Sequence, residues 1–114
     1  MNEELKALFG DGINVKDEVI PIAHLIYEGK SKRFITWTIL DETPILSAND
    51  EQMYSVGSVD IDIFSNSNYL DIIKEIKILM KNNEWVWTGD SPEMYETDTG
   101  LYHKTCTFEK ERVL

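Results

Sequence analysis

Residues 58–81 read SVDIDIFSNSNYLDIIKEIKILMK, and the change of period inside this stretch decides the fold. Val59, Ile61 and Ile63 alternate with Ser58, Asp60 and Asp62, the period of two of a strand with one buried face. Ser65-Asn66-Ser67-Asn68 then supplies helix-capping side chains, and Tyr69, Ile72, Ile73, Ile76, Leu79 and Met80 follow at helical spacing. Asp71 in the first turn and Lys81 in the last both suit the helix dipole, and Asn82-Asn83 offers a left-handed stop. A strand feeding directly into a main helix over about residues 68–82 is the centre of the molecule.

Working outward, the strand extends back to Met53. Tyr54 and Val56 stand on the opposite parity from Val59, so a bulge at Gly57 or Ser58 is expected to restore one apolar face. Upstream, Ile35, Trp37 and Ile39 alternate with Phe34, Thr36 and Thr38, which predicts a second strand. Residues 41–52 have no period and contain Pro44, so they are expected to form a long loop. Residues 19–27 are apolar but hold Pro21, which confines any strand there to an edge or to a start after the proline. Residues 1–9 read as a two-turn helix without a regular stripe, with Leu8 and Phe9 clustered before Gly10-Asp11-Gly12. After the main helix, residues 84–88 form a short strand with Trp85 and Trp87 on one side. Residues 94–110 form a hairpin turned at Thr97-Asp98-Thr99-Gly100. The fold class is α+β, an antiparallel or mixed sheet of about 4–6 strands with one main helix on one face and a short N-terminal helix.

A chain of 114 residues fits a single domain spanning residues 1–114 and can bury roughly 65% of its unfolded surface unaided. Cys106 is the one cysteine, so an intramolecular disulfide or cysteine zinc site is excluded. No stretch reaches membrane-spanning length, and acidic Glu3 and Glu4 stand where a secretory leader needs bases. The net charge is −10. Residues 34–73 carry Asp41, Glu42, Asp50, Glu51, Asp60, Asp62 and Asp71 with no lysine or arginine, and residues 84–100 add five more acids without a base. Such segments oppose binding of nucleic acid through its phosphates, and they make a solvated surface or a face for a basic partner.

Catalytic signals are sparse. His24 and His103 stand in no metal spacing, and no serine lies in a nucleophile elbow. Asp60 and Asp62, two residues apart on one strand face, could hold a cation, yet no third ligand is placed beside them. Both read as solvated carboxylates whose replacement leaves stability nearly unchanged. Trp37, Trp85 and Trp87 read as core or interface. One residue breaks the helical pattern: with Tyr69, Ile73, Ile76 and Met80 buried, Ile78 points outward, exposed or covered by another subunit.

Several pieces recur together in a known family. They are Tyr27-x-Gly29, the strand from Phe34 through Ile39 followed by Asp41-Glu42-Thr43-Pro44, the Val59-Asp60-Ile61-Asp62-Ile63-Phe64-Ser65 strand, the helix of residues 69–81, and the Asp98-Thr99-Gly100-Leu101-Tyr102-His103-Lys104 hairpin with Phe108 and Glu109. This order resembles the tail terminator and tail-to-head joining (tail completion) proteins of long-tailed bacteriophages and their prophage remnants. The resemblance covers about three quarters of the chain and carries no catalytic signature.

What it implies is a structural, non-enzymatic virion assembly protein. Such a subunit forms a homo-oligomeric ring, commonly a hexamer, at the head-proximal end of the phage tail, after synthesis in the host cytoplasm. The ring caps the tail tube protein and docks to the head completion or neck protein, and DNA passes through without specific binding. No cofactor, metal or membrane is implied. On this reading the candidate interface residues are Ile78, then Leu46, Met53, Met94 and Tyr95. The alternative is a small acidic module that sequesters a basic partner, and a third reading is an enzyme using a metal at Asp60 and Asp62.

Overall fold

Alternation along the chain becomes alternation in burial: Val59, Ile61 and Ile63 are fully buried, while Asp60, Asp62 and Phe64 between them stay partly exposed. The computed structural model describes residues 2–46 and 53–113, with the side chains at positions 45, 46, 53 and 113 outside the described set. In chain order the elements are α1 (Asn2–Phe9), β1 (Gly12–Val15), β2 (Glu18–His24), β3 (Arg33–Leu46), β4 (Met53–Ser65), α2 (Leu70–Asn82), β5 (Val86–Asp90), β6 (Met94–Glu96) and β7 (Leu101–Val113).

The fold is α+β with a mixed sheet of seven strands, in the order β1-β2-β3-β4-β7-β5, and β6 also pairs with β7. Among the described residues only β2 and β3 run parallel, through Ile22↔Ile35, Ala23↔Thr36 and His24↔Trp37. The strand count exceeds the expected four to six by β1, whose four residues are too few to show a period of two, while β6 is the first arm of the expected hairpin.

The proline in β2 is accommodated as edge chemistry requires. Glu18 to Pro21 pair with β1 and the residues from Ile22 onward pair with β3, so at Pro21 only one side of the strand is engaged.

Two expectations about the central hairpin are corrected. Residues 41–46 are strand rather than loop, continuing β3 opposite β4 as far as Leu46↔Met53, while residues 47–52 lie outside the described residues. Pro44 is tolerated because, among the described residues, β3 has β4 as its one ladder partner beyond Trp37. The bulge sits in β3, between Ile39 and Asp41, and not at Gly57 or Ser58. Strand β4 keeps its alternation throughout, so buried Ser55 and Gly57 continue the inner face and Tyr54 and Val56 join Asp60 outside.

One core joins the layers. Ile72, Ile73, Ile76 and Met80 of α2 pack with Ile35, Trp37, Val59, Ile61, Ile63, Cys106 and Phe108 of the sheet. Helix α1 does carry a stripe, against expectation: Leu5 and Phe9, four residues apart, are 0% and 3% exposed, whereas Leu8 is only partly buried.

The start of α2 is fixed by Arg33. Its guanidinium donates to both Asp71 carboxylate oxygens at 2.8 and 3.0 Å, to Glu18 at 2.6 Å and to the Ser65 hydroxyl at 3.2 Å. Asn68 accepts from the Leu70 N–H at 2.9 Å. At the other end the left-handed residue is Glu84, at φ 68°, and not Asn82 or Asn83. Asn83 instead donates its side-chain amide to the Leu79 carbonyl, and the Trp85 N–H reaches the Met80 carbonyl. These bonds satisfy helix carbonyls that would otherwise lack partners.

Candidate protein interface

Large apolar side chains left in water are the informative surface feature of a small protein, and here they gather in a few places. On α2, Leu70, Lys74 and Ile78 repeat every four residues along one exposed stripe, with Leu70 61% and Ile78 44% exposed. Ile78 thus faces outward as its period requires. Its covered half borders a shallow groove with Leu8, Ile13 and Leu79.

A second group forms where β6 meets β7. The pair Tyr95↔Tyr102 sets two rings 5.0 Å apart, and Tyr69 at the start of α2 comes within 6.3 Å of Tyr102. Gly100, at φ +72°, closes the turn, and its N–H donates to the Glu96 carbonyl. Met94 is 41% exposed and Tyr95 55%. Beside them lies a cleft of about 540 Å³ bordered by Asn66, Tyr69, Leu70, Glu93 and Tyr102. Burial and the neighbouring Glu93 carboxylate hold the Tyr69 hydroxyl pKa above its ordinary value. Tyrosine offers a large contact area at low ordering cost, and tyrosine and methionine are both enriched in the centres of protein interfaces.

The fold therefore brings Tyr95 together with Tyr69 and Tyr102, turns Met94, which pairs with His103, to the other face of the sheet, and leaves Ile78 two turns along α2 from Leu70. Leu46 and Met53 oppose each other at the far end of the β3–β4 hairpin, and their side chains lie outside the described residues. No family model matches the chain, and no curated protein matches it.

Among the described residues, sequence reasoning missed five further exposed apolar positions, one of which is Val19 in β2. Leu25 and Ile26 belong to the apolar run of residues 19–27, but β2 ends at His24, and Leu25 turns out at φ 67°. Leu40 is the bulged residue of β3, and Val86 lies on edge strand β5. The tryptophans also divide: Trp85 is buried, whereas Trp87 is half exposed. Both border one groove with Phe108, and Lys77 sits 4.0 Å over the Trp87 ring while pairing with Asp90. The apolar run at 19–27 and the valine between two tryptophans were the available signals, but period alone does not tell an edge from a centre.

The outer face of the sheet is a hydrogen-bonded polar surface. Thr107 donates to Asp60 at 2.6 Å, Thr105 to Asp62 at 2.6 Å, and His103 Nε2 lies 2.9 Å from Asp62. The two aspartates are thus held by cross-strand partners and are not merely solvated. Burial raises the Asp62 pKa, but His103 and Thr105 outweigh it and leave the carboxyl below its usual range. Beside this row, Tyr27, Phe34, Phe64 and His103 stack in a ladder with centroid spacings of 4.5, 4.7 and 4.2 Å. Gly29 belongs to that ladder, because a Cβ there would overlap the Tyr27 ring. His24 stacks on Trp37 at 4.1 Å.

Among the described residues no three histidine, cysteine or carboxylate side chains converge on a cation position. Burial, with Asp90 beside it, pushes the Cys106 thiol up to about 12, which removes the thiolate needed for nucleophilic work at neutral pH.

Proposed function

We propose that the chain is a structural subunit of a long-tailed phage or prophage tail, a ring-forming tail terminator or tail-to-head joining protein that acts by self-association and docking. The observation that carries the reading is the placement of the apolar surface. Ile78 and Leu70 on α2, and Met94, Tyr95 and Tyr102 on the β6–β7 hairpin, are large, exposed and gathered on packed elements. Rigid elements present such residues to a partner without an added ordering cost. The order of motifs supports the same assignment, with tail tube protein and neck protein as further partners and a hexamer as the ring.

Ile78→Asp tests it. With 44% of Ile78 already exposed, the substitution spares the fold, whereas an unpartnered aspartate in the core would unfold the subunit. Covering the exposed part of Ile78 contributes about 1 kcal/mol per contact, repeated around a ring. Circular dichroism is expected to show melting within a few degrees of the wild type. Electron microscopy of particles made with the mutant is expected to show free heads with unjoined or overlong tails. Normal virions from a normally folded mutant would remove Ile78 from the interface.

A further inference from the structure

Between the solvent side of α2 and the edge of β5 runs a groove of about 370 Å³, bordered by Lys77, Lys81, Trp85, Val86, Trp87 and Phe108. Trp85 and Phe108 are its buried side, while Val86 and Trp87 are 65% and 50% exposed. Trp87 lies across from Phe108 in the ladder, so its ring stands on the α2 face of the sheet. The lysine stems complete an apolar wall and leave two ammonium groups at the rim. Ile78 does not border this groove.

The rim is a basic stripe on an acidic chain. Lys74, Lys77 and Lys81, at spacings of three and four, share one face of α2, in a chain with 11 lysines and arginines against 21 acids. Lys77 is engaged: its ammonium lies 4.0 Å over the Trp87 ring and 3.3 Å from the Asp90 carboxylate. Lys74 and Lys81 are exposed and make no ion pair among the described residues. Lys81 sits at the Trp85 end of the groove, where the Trp85 N–H reaches the neighbouring Met80 carbonyl. Alongside, β5 ends the strand path and pairs with β7 alone among the described residues, so one row of its backbone groups has no ladder partner. Pro92, which has no N–H, stops that edge just past the end of the strand.

We propose that this groove docks an extended acidic segment of another protein, added as a strand to β5. One large apolar side chain of the segment lies against Trp87, and a carboxylate two residues away, on the same face, meets Lys81. Charge complementarity and the open backbone select this occupant. Nucleic acid would suit the lysines, but Lys77 already covers a face of the Trp87 ring on which a base would stack, and the charge of −10 repels phosphates. A fatty acid would fill the apolar wall and reach a lysine, yet it has nothing to give the backbone of β5. The docking does not depend on self-association through Ile78.

Selection from a random library of displayed peptides about seven residues long, enough to span the five residues of β5, provides the test. Enriched sequences are expected to carry an aspartate or glutamate two places from a large apolar residue. The best of them, synthesised and titrated by tryptophan fluorescence, is expected to bind Lys81→Glu roughly tenfold more weakly than the wild type, and Trp87→Ala more weakly still. Lys81 is exposed, so circular dichroism is expected to show Lys81→Glu folded as the wild type. N-methylation of alternate peptide bonds is expected to abolish binding in one phase and spare it in the other, because every second N–H of an added strand faces its neighbour. Equal binding by both methylated forms overturns the strand addition. Enrichment without acids, or binding that survives both substitutions, overturns the site. Displacement of the peptide by single-stranded oligothymidylate would give the groove to nucleic acid, and a dimer in native mass spectrometry that the peptide breaks would give it to a second copy. Either result overturns the proposal, and none of them touches the ring reading tested at Ile78.

Discussion

Asp62 illustrates how a single carboxylate ties strands together. It accepts from Thr105 on β7 at 2.6 Å and lies 2.9 Å from His103 Nε2, while Asp60 one pleat away accepts from Thr107. Its pKa in the folded protein is depressed, so its contribution is present above the unfolded value, near 3.9, and is lost as the pH falls through the folded value. Asp62→Asn should therefore cost about 1 kcal/mol at neutral pH, a loss that shrinks as the pH falls below about 4. Urea unfolding of both proteins at the two pH values measures this, and an equal loss at both would assign the effect to packing. The aspartates' period was plain in the sequence. Their partners, which lie 41 to 47 residues away in the chain, were not.

Among the elements, α1 shows how a short helix gains its place from contacts rather than from its own propensity. Eight residues are too few to hold a helix alone in water. Leu5 and Phe9 enter the core, and Glu4 bridges to Lys110 at 2.7 Å and to Arg112, clamping the helix to the end of β7. Burial raises the Glu4 pKa, but Lys110 and Arg112 more than reverse it. Leu5→Ala is expected to lower stability by about 2–5 kcal/mol, read as a drop in the urea midpoint, because the methyl groups it removes leave a cavity under the helix. A loss under about 0.5 kcal/mol would mean that α1 is a surface ornament. The stripe escaped sequence reading because two turns give a period no room to repeat. Strand β3 escaped in part for the opposite reason: Pro44 reads as a break, and only an edge with one free side tolerates it.

At the scale of the whole molecule, long β3, β4 and β7 draw the chain out to 52 × 26 × 23 Å, with a radius of gyration of 15.5 Å against about 13 Å for a compact chain of this length. Length along the strands leaves stretches of sheet edge without a ladder partner among the described residues. The charge of −10 belongs to this scale too. In gel-shift titrations at physiological salt, duplex DNA is expected to stay free at subunit concentrations up to about 100 µM, the weak end of ordinary non-specific binding. A salt-sensitive complex in the micromolar range would instead reveal a basic face that net charge conceals. The α+β class, the position of α2, the closing hairpin and the outward turn of Ile78 were all set by the amino-acid sequence alone. Each depends on a local period or a turn residue, which neighbours along the chain impose. Tertiary structure alone decided where the bulge falls, that residues 41–46 pair, that Leu5 is core, that Trp85 is buried while Trp87 is not, and that Leu40 and Val86 stand on opposite free edges. Those outcomes depend on which strands meet and which run out of partners, and residues far apart in the chain settle them through register and packing.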